Sequence, residues 1–161
     1  MNTKGTPQKR LGFSLIEVII FVSLISILFV GAASVMSFMY RQNQMQISQL
    51  IATHQSEELY QWLKAEREAD WNTFVNTVTV GETQQSTLFC FSTLDPTWGS
   101  QIGDLSGCPY AISGKYRRSA TFQVDNLANP TQVSVRISTD WIEASSVRSK
   151  VFTVVFINQW E

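Results

Sequence analysis

The chain predicts an α+β molecule in which one long N-terminal helix is laid on an antiparallel β-sheet. Three observations carry that expectation. An apolar run reaches Tyr40, with Glu17 the sole charge between Arg10 and Arg41. Its continuation, residues 41–70, holds no Gly or Pro and keeps a helical spacing of apolar residues. The C-terminal part alternates apolar and polar side chains in segments joined by short polar connections.

Length and composition narrow the function before any motif is read. With the apolar run set aside, 161 residues leave room for one modest core. A formal net charge of −1 provides no global attraction for nucleic acid or an anionic surface. Charged residues make up only 16%, low for a soluble domain, and the N-terminal run accounts for much of the deficit. His54 is the single histidine, which leaves no basis for a His-based metal site or a His-dependent catalytic pair. No Ser/His/Asp set, phosphate-cradling glycine loop or metal-ligand cluster emerges. We therefore assign no catalytic, cofactor-binding or metal residue and expect no enzyme.

Residues 1–12 are polar and basic, with Lys4, Lys9 and Arg10 beside Gly5 and Pro7. A secretory signal peptide would follow such a region with a short apolar stretch and a small-residue cleavage site. Here the run is too long, and it continues directly into a helical pattern. An uncleaved signal anchor is the plain alternative, because a span needs about 20 apolar residues and Val18 to Tyr40 supplies them without a charge. Basic residues ahead of the span hold them in the cytoplasm and place everything after Arg41 outside. Glu17 is what an ordinary anchor does not explain, since a carboxylate in lipid costs about 2.5 kcal/mol or more.

The local sequence Lys9-Arg-Leu-Gly12-Phe13-Ser-Leu-Ile-Glu17 resembles the prepilin family: type IV pilins, minor pilins and the pseudopilins of type II secretion. The pattern is a short basic leader ending in Gly, then Phe, a small polar residue, two aliphatics, Glu and a long apolar helix. The resemblance implies a pilin-like fold, cleavage between Gly12 and Phe13 by a prepilin peptidase, and N-methylation of the new Phe13 amine. It also implies partners: other pilin subunits through the N-terminal helix, an inner-membrane assembly platform, and membrane lipid before assembly. The expected organisation is a leader at 1–12, a transmembrane and polymerisation helix at 13–40, and an exported domain at 41–161.

The role implied for Phe13 and Glu17 has a physical basis. A carboxylate in apolar surroundings must be neutralised or paired. In a bundle of staggered helices, the freed amine of one subunit can meet Glu17 of its neighbour, and a slipped register would strand both charges. One departure from major pilins is informative: no proline lies between Pro7 and Pro96, so the helix keeps its hydrogen-bond ladder. That leans away from an abundant major pilin and towards a minor pilin or pseudopilin, and a minor pilin of a type IV pilus is the reading taken. A type II secretion or competence pseudopilin is the alternative, and an uncleaved membrane-anchored adhesion or binding domain a further one.

The second half of the helix is expected to present Ile47, Leu50, Ile51, His54, Glu58, Trp62 and Ala65 to the sheet, with Leu59 and Leu63 widening the face. His54 on that face reads as a partly buried structural histidine. The charge run through Asp70 reads as solvated, with Lys64 and Glu68 paired at i, i+4. Trp71 and Phe74 read as core. Thr77 to Val80 alternates ahead of Gly81 and reads as a short strand or extended connection.

Thr87 to Phe91 reads as a strand, followed by a turn-rich loop bracketed by Cys90 and Cys108. Export from the reducing cytosol makes a disulfide the natural reading of these cysteines. Closing such a loop stabilises by about 3 kcal/mol on the chain-entropy model. Asp95 and Asp104 inside the loop lack the spacing of a Ca²⁺ loop and read as turn residues. Ser119–Asp125, Thr131–Trp141 and Lys150–Asn158 read as three strands of an antiparallel meander, with Ala120, Phe122, Val124, Val133, Val135 and Ile137 inward. Lys115, Arg117 and Arg118 form the basic cluster outside the leader. Three charges beside Tyr116 read as a solvated loop rather than a nucleic-acid site.

Overall fold

The computed structural model describes residues 14–81, 83–143 and 145–158. In it the chain divides into two compact units, Met1–Met45 and Gln46–Glu161. Gly12 and Phe13 lie outside the described residues.

Helix α1 spans Leu15–Ala69 and runs through both units. Nothing interrupts its hydrogen-bond ladder, and Gly31 has open space around it. The described part of the first unit is helix whose apolar side chains are exposed, among them Phe21 at 63% and Phe29 at 71%. Four of its serines are satisfied locally. The hydroxyls of Ser23, Ser26, Ser34 and Ser37 donate to the carbonyls of Ile20, Val22, Val30 and Ala33 at 2.7–2.9 Å. Such back-bonding leaves none of these hydroxyls needing water, which suits a helix in hydrocarbon.

In the second unit the end of α1 covers a five-stranded antiparallel sheet of order β2-β1-β3-β4-β5. The strands are β1 (Ser86–Cys90), β2 (Ser100–Ile102), β3 (Tyr116–Val124), β4 (Gln132–Glu143) and β5 (Ser146–Ile157). Strands β3, β4 and β5 form the expected meander, with Ala120 opposite Ile137 and Ile137 opposite Phe152. The inward residues read from the alternation of β3 and β4 are all buried, and with Leu59, Leu63 and Phe74 they make one core. Trp98 reaches into it from the cysteine loop and meets Trp62 edge-on at a 5.2 Å centroid distance.

Two expectations about local structure need correction. Residues 77–80 are not a strand: α2 spans Trp71–Val78. The carboxylate of Asp70 accepts the backbone N–H groups of Asn72 and Thr73 and the Thr73 hydroxyl, so it caps α2 as α1 ends. Trp71, Phe74, Val75 and Val78 then recur at i, i+3, i+4 and i+7, all buried. The Thr-Val-Thr-Val alternation masked this helical period. The chain leaves the turn through Val80 (φ 53°) and Gly81 (φ 71°), a left-handed pair.

The sheet-facing side of α1 matches the expected face only towards its end, where Leu59 and Leu63 are buried and Glu58 and Trp62 partly so. Ser48, Ala52, Gln55, Ser56, Leu59 and Leu63 are buried, whereas Ile47, Leu50, Ile51, His54 and Ala65 are exposed. His54 is therefore not the partly buried structural residue expected. Side-chain size explains the rotation. Ser48, Ala52 and Ser56 let the helix backbone approach β4 closely, and Ser56 shares a 2.8 Å hydrogen bond with Thr139. Ala52 packs with Ile112, Tyr116 and Trp141 in a second small cluster.

The β3–β4 connection is held by Asp125, whose carboxylate accepts N–H groups of Asn126, Thr131 and Gln132 and the Thr131 hydroxyl. The Thr131 hydroxyl above all, then those backbone donors against a small desolvation cost, holds the Asp125 carboxyl below the usual aspartate range.

Two outcomes follow. Ala52→Leu overpacks the helix–sheet seam and lowers unfolding free energy by about 1–3 kcal/mol, while Leu50→Ser on the exposed side changes it by less than about 0.5 kcal/mol. Urea titration of the detergent-solubilised chain distinguishes them, and equal effects would restore the predicted face. Because the folded-state pKa of Asp125 is depressed, its contribution is present above the unfolded value near 4 and lost as pH falls through the folded one. Asp125→Asn is accordingly destabilising at neutral pH, and the gap to the parent narrows on acidification below about pH 4.

Candidate functional site

Two regions carry the chemistry that the sequence singles out, and they lie in different units. The first is the head of α1. Glu17 sits in the first helical turn, where its N–H donates to the Ser14 carbonyl at 3.0 Å. Among the described residues no cation pairs with it. Ile20, Phe21 and Leu24, at i+3, i+4 and i+7, share its helix face and are exposed apolar side chains. The helix is long and apolar enough to cross a membrane.

The second region is the cysteine loop and the basic cluster beneath it. Cys90 and Cys108 are joined by a disulfide, with Cα atoms 5.4 Å apart and a sequence separation of 18. Within the loop lie β2 and a short 3₁₀ turn at Leu105–Gly107, neither of which was expected. Asp104 caps that turn through the Ser106 N–H and hydroxyl, so it acts as a turn residue. The Ser106 side chain first, then backbone donors, hold its carboxyl below the usual range. Gly99 passes so close to Cys90 that an added Cβ would meet the Cys90 carbonyl oxygen at 1.8 Å, and only glycine fits. Among the described residues, no three His, Cys, Asp or Glu side chains gather as a metal site would require.

The basic cluster is not a solvated loop. Arg118 is wholly buried, and its guanidinium is spread over three segments of the chain. One terminal nitrogen donates to the Gln55 carbonyl (2.9 Å), the Gln55 side-chain oxygen (3.2 Å) and Glu58 Oε2 (3.3 Å). The other donates to the carbonyls of Thr93 (2.9 Å) and Leu94 (3.3 Å). Burial pushes the Arg118 pKa down, and the neighbouring Glu58 opposes that shift. Arg117 pairs with Asp140 at 2.9 Å and lies over the Tyr110 ring, and Lys115 donates to Ser48 at 2.9 Å. All three cations are committed to the fold. Sequence spacing missed this because the side chain pointing inward, Arg118, is flanked by polar residues and looks like its neighbours.

The fold and the exposed apolar helix define a class: an α+β, pilin-like arrangement of a long N-terminal helix and an antiparallel sheet. Comparison sharpens that. A family model described as the prokaryotic N-terminal methylation motif matches residues 7–33, so the chain carries the type IV prepilin signature. No curated protein and no solved structure matches the chain.

Arg118→Met leaves the Gln55, Thr93 and Leu94 carbonyls and Glu58 without their donor and is expected to cost roughly 3–5 kcal/mol. Arg118→Lys recovers only part of this, since an ammonium cannot fork between α1 and the loop. Thermal unfolding checks both variants. A melting temperature within about 2 °C of the parent for Arg118→Met would show that the cluster is dispensable.

Proposed function

We propose that this chain is a structural subunit, a minor pilin, of a type IV pilus or a related filament. The observation that carries the reading is the methylation motif at residues 7–33 with Glu17 at the head of an exposed apolar helix. In this reading a prepilin peptidase removes residues 1–12 on the cytoplasmic side and Phe13 becomes the methylated N-terminus. Residues 13–40 hold the subunit in the inner membrane as a single pass, with residues 41–161 outside. Assembly then transfers the helix from lipid to a bundle of other subunits' helices on the inner-membrane platform, where the Phe13 amine of one subunit meets Glu17 of the next.

The uninterrupted helix through Gly31 supports a minor rather than a major subunit, since neither proline nor a break is present to let it stretch. The same features fit a type II secretion or competence pseudopilin, which shares the motif. The role of such a subunit is mechanical: among the described residues nothing offers a nucleophile with its base, and the prepilin motif itself points to a structural protein.

Mass spectrometry of the native protein tests processing, with an expected N-terminus of methylated Phe13; an intact Met1 sinks the proposal and leaves the anchored-domain alternative. Glu17→Ala is expected to be cleaved normally yet to enter filaments at least about tenfold less, the equivalent of 1.4 kcal/mol of lost pairing. Immunoblots of sheared filaments against membranes measure that ratio, and parental incorporation would remove the registering role.

A further inference from the structure

Among the described residues, strand β5 is an uncovered edge of the sheet, and its side chains and backbone are arranged for another strand. The Asn158 N–H donates to the Thr131 carbonyl at 2.9 Å, continuing the register that sets Gln132 opposite Ile157. Antiparallel pairs alternate between bonded and unbonded, so the even-numbered residues of β5 bond β4. The N–H and C=O groups of Val147, Ser149, Val151, Thr153 and Val155 therefore point away from the sheet, whereas the Ile157 carbonyl at the end of the strand accepts from Arg67 Nη1 at 3.2 Å. Natural edges of this length are usually shortened, bulged or interrupted by proline. This one has twelve residues in unbroken register with β4.

The same odd-numbered residues form an apolar row on the face opposite α1. Val147 is 58% and Ile157 56% exposed, with Val151 and Val155 between them. The neighbouring row on β4 is polar there, with Ser134, Arg136 and Ser138 facing outward. Charge then selects the occupant. Arg148 and Lys150 on β5 and Arg136 beside Thr153 are exposed, and among the described residues none is in an ion pair. β5 holds no acid; on β4, Asp140 opposite Ser149 is buried and already paired with Arg117, and Glu143 lies at the turn end opposite Ser146. A second copy of β5 would add like charges to an already basic ribbon without an acid to meet them.

We propose that β5 docks an extended, carboxylate-bearing segment of a partner protein as a sixth strand. Main-chain bonds to the outward groups supply affinity, the apolar row receives alternate side chains, and the cations favour an acidic partner over another copy of this chain. The surface stands whether or not the chain enters a filament, so its failure leaves the filament reading intact.

The test uses the full chain in detergent micelles and a capped peptide of alternating valine and threonine carrying two aspartates. The readout is amide hydrogen exchange. The expected result is at least about tenfold slower exchange at Val151, Thr153 and Val155, with a lysine-bearing counterpart binding at least about tenfold more weakly. Thr153→Pro deletes one outward N–H while sparing the bonds to β4, and should abolish the protection. Arg148→Glu with Lys150→Glu should reverse the preference between the two peptides. Unchanged exchange with the acidic peptide, equal protection by both peptides, or protection in the peptide-free chain that grows with chain concentration would each overturn the proposal, the last assigning the edge to a second copy.

Discussion

The second unit depends most on one buried cation. Arg118 leaves β3, crosses the core face and binds the α1 backbone at Gln55 together with the loop carbonyls of Thr93 and Leu94. A guanidinium taken from water loses several kcal/mol of hydration, and only good geometry with several acceptors offsets it. Here five acceptors surround two nitrogens. Breaking any of the three segments leaves a charge in a dry site, so the three are held as one. The disulfide and Gly99 serve the same end, fixing the loop that brings Thr93 and Leu94 over the guanidinium. Arg118 also sets the rotation of α1, because its bond requires the Gln55 carbonyl to face the sheet.

That rotation explains which parts of the chain were legible in sequence. Strand alternation was readable in β3 and β4 because both bury one face against an apolar cover, and burial with period two leaves a plain pattern. The helix face was not readable, since hydrophobicity marks burial only where packing is loose enough for large side chains. At Ser48, Ala52 and Ser56 the seam is tight and selects small residues, so the apolar Ile47, Leu50 and Ile51 fall outside it. β5 shows the converse. It is the most apolar strand, yet most of it is exposed, because it is an edge whose outer row lacks cover.

The functional signal was legible for a different reason. It lies in the segment that the N-terminal methylation motif matches, residues 7–33, whose pattern is local and needs no tertiary context. The basic cluster is the opposite case. Lys115, Arg117 and Arg118 have the same local appearance, but their fates are set by residues far away in sequence: Ser48, Asp140, and Gln55 with the cysteine loop. Period two carried back from Ala120 does put Arg118 on the buried face and Arg117 on the other, but a cation at an inward position reads as burial only once its distant acceptors are known.

Magnitudes also decide how Glu17 should be understood. An acid in the first turn of a helix is ordinarily accounted for by the helix dipole, and the structure does place Glu17 there. In water that interaction is worth about 0.3–1 kcal/mol. The price of holding a carboxylate within an apolar helix in lipid is about 2.5 kcal/mol or more. The dipole falls short by a factor of two or greater, so a capping role does not account for the residue. Protonation would remove the charge but leave a polar group among Ile20, Phe21 and Leu24, with no described donor or acceptor beside it. Under the proposed function, a cation brought to the same depth by another helix closes the gap. A freed N-terminal amine, one turn ahead of the acid in every subunit, is the cation that the proposed processing creates. In the proposed filament, a helix carrying both groups at fixed spacing would be only marginally stable in lipid and fully paired in a staggered bundle, which would give assembly a direction without any contribution from the sheet.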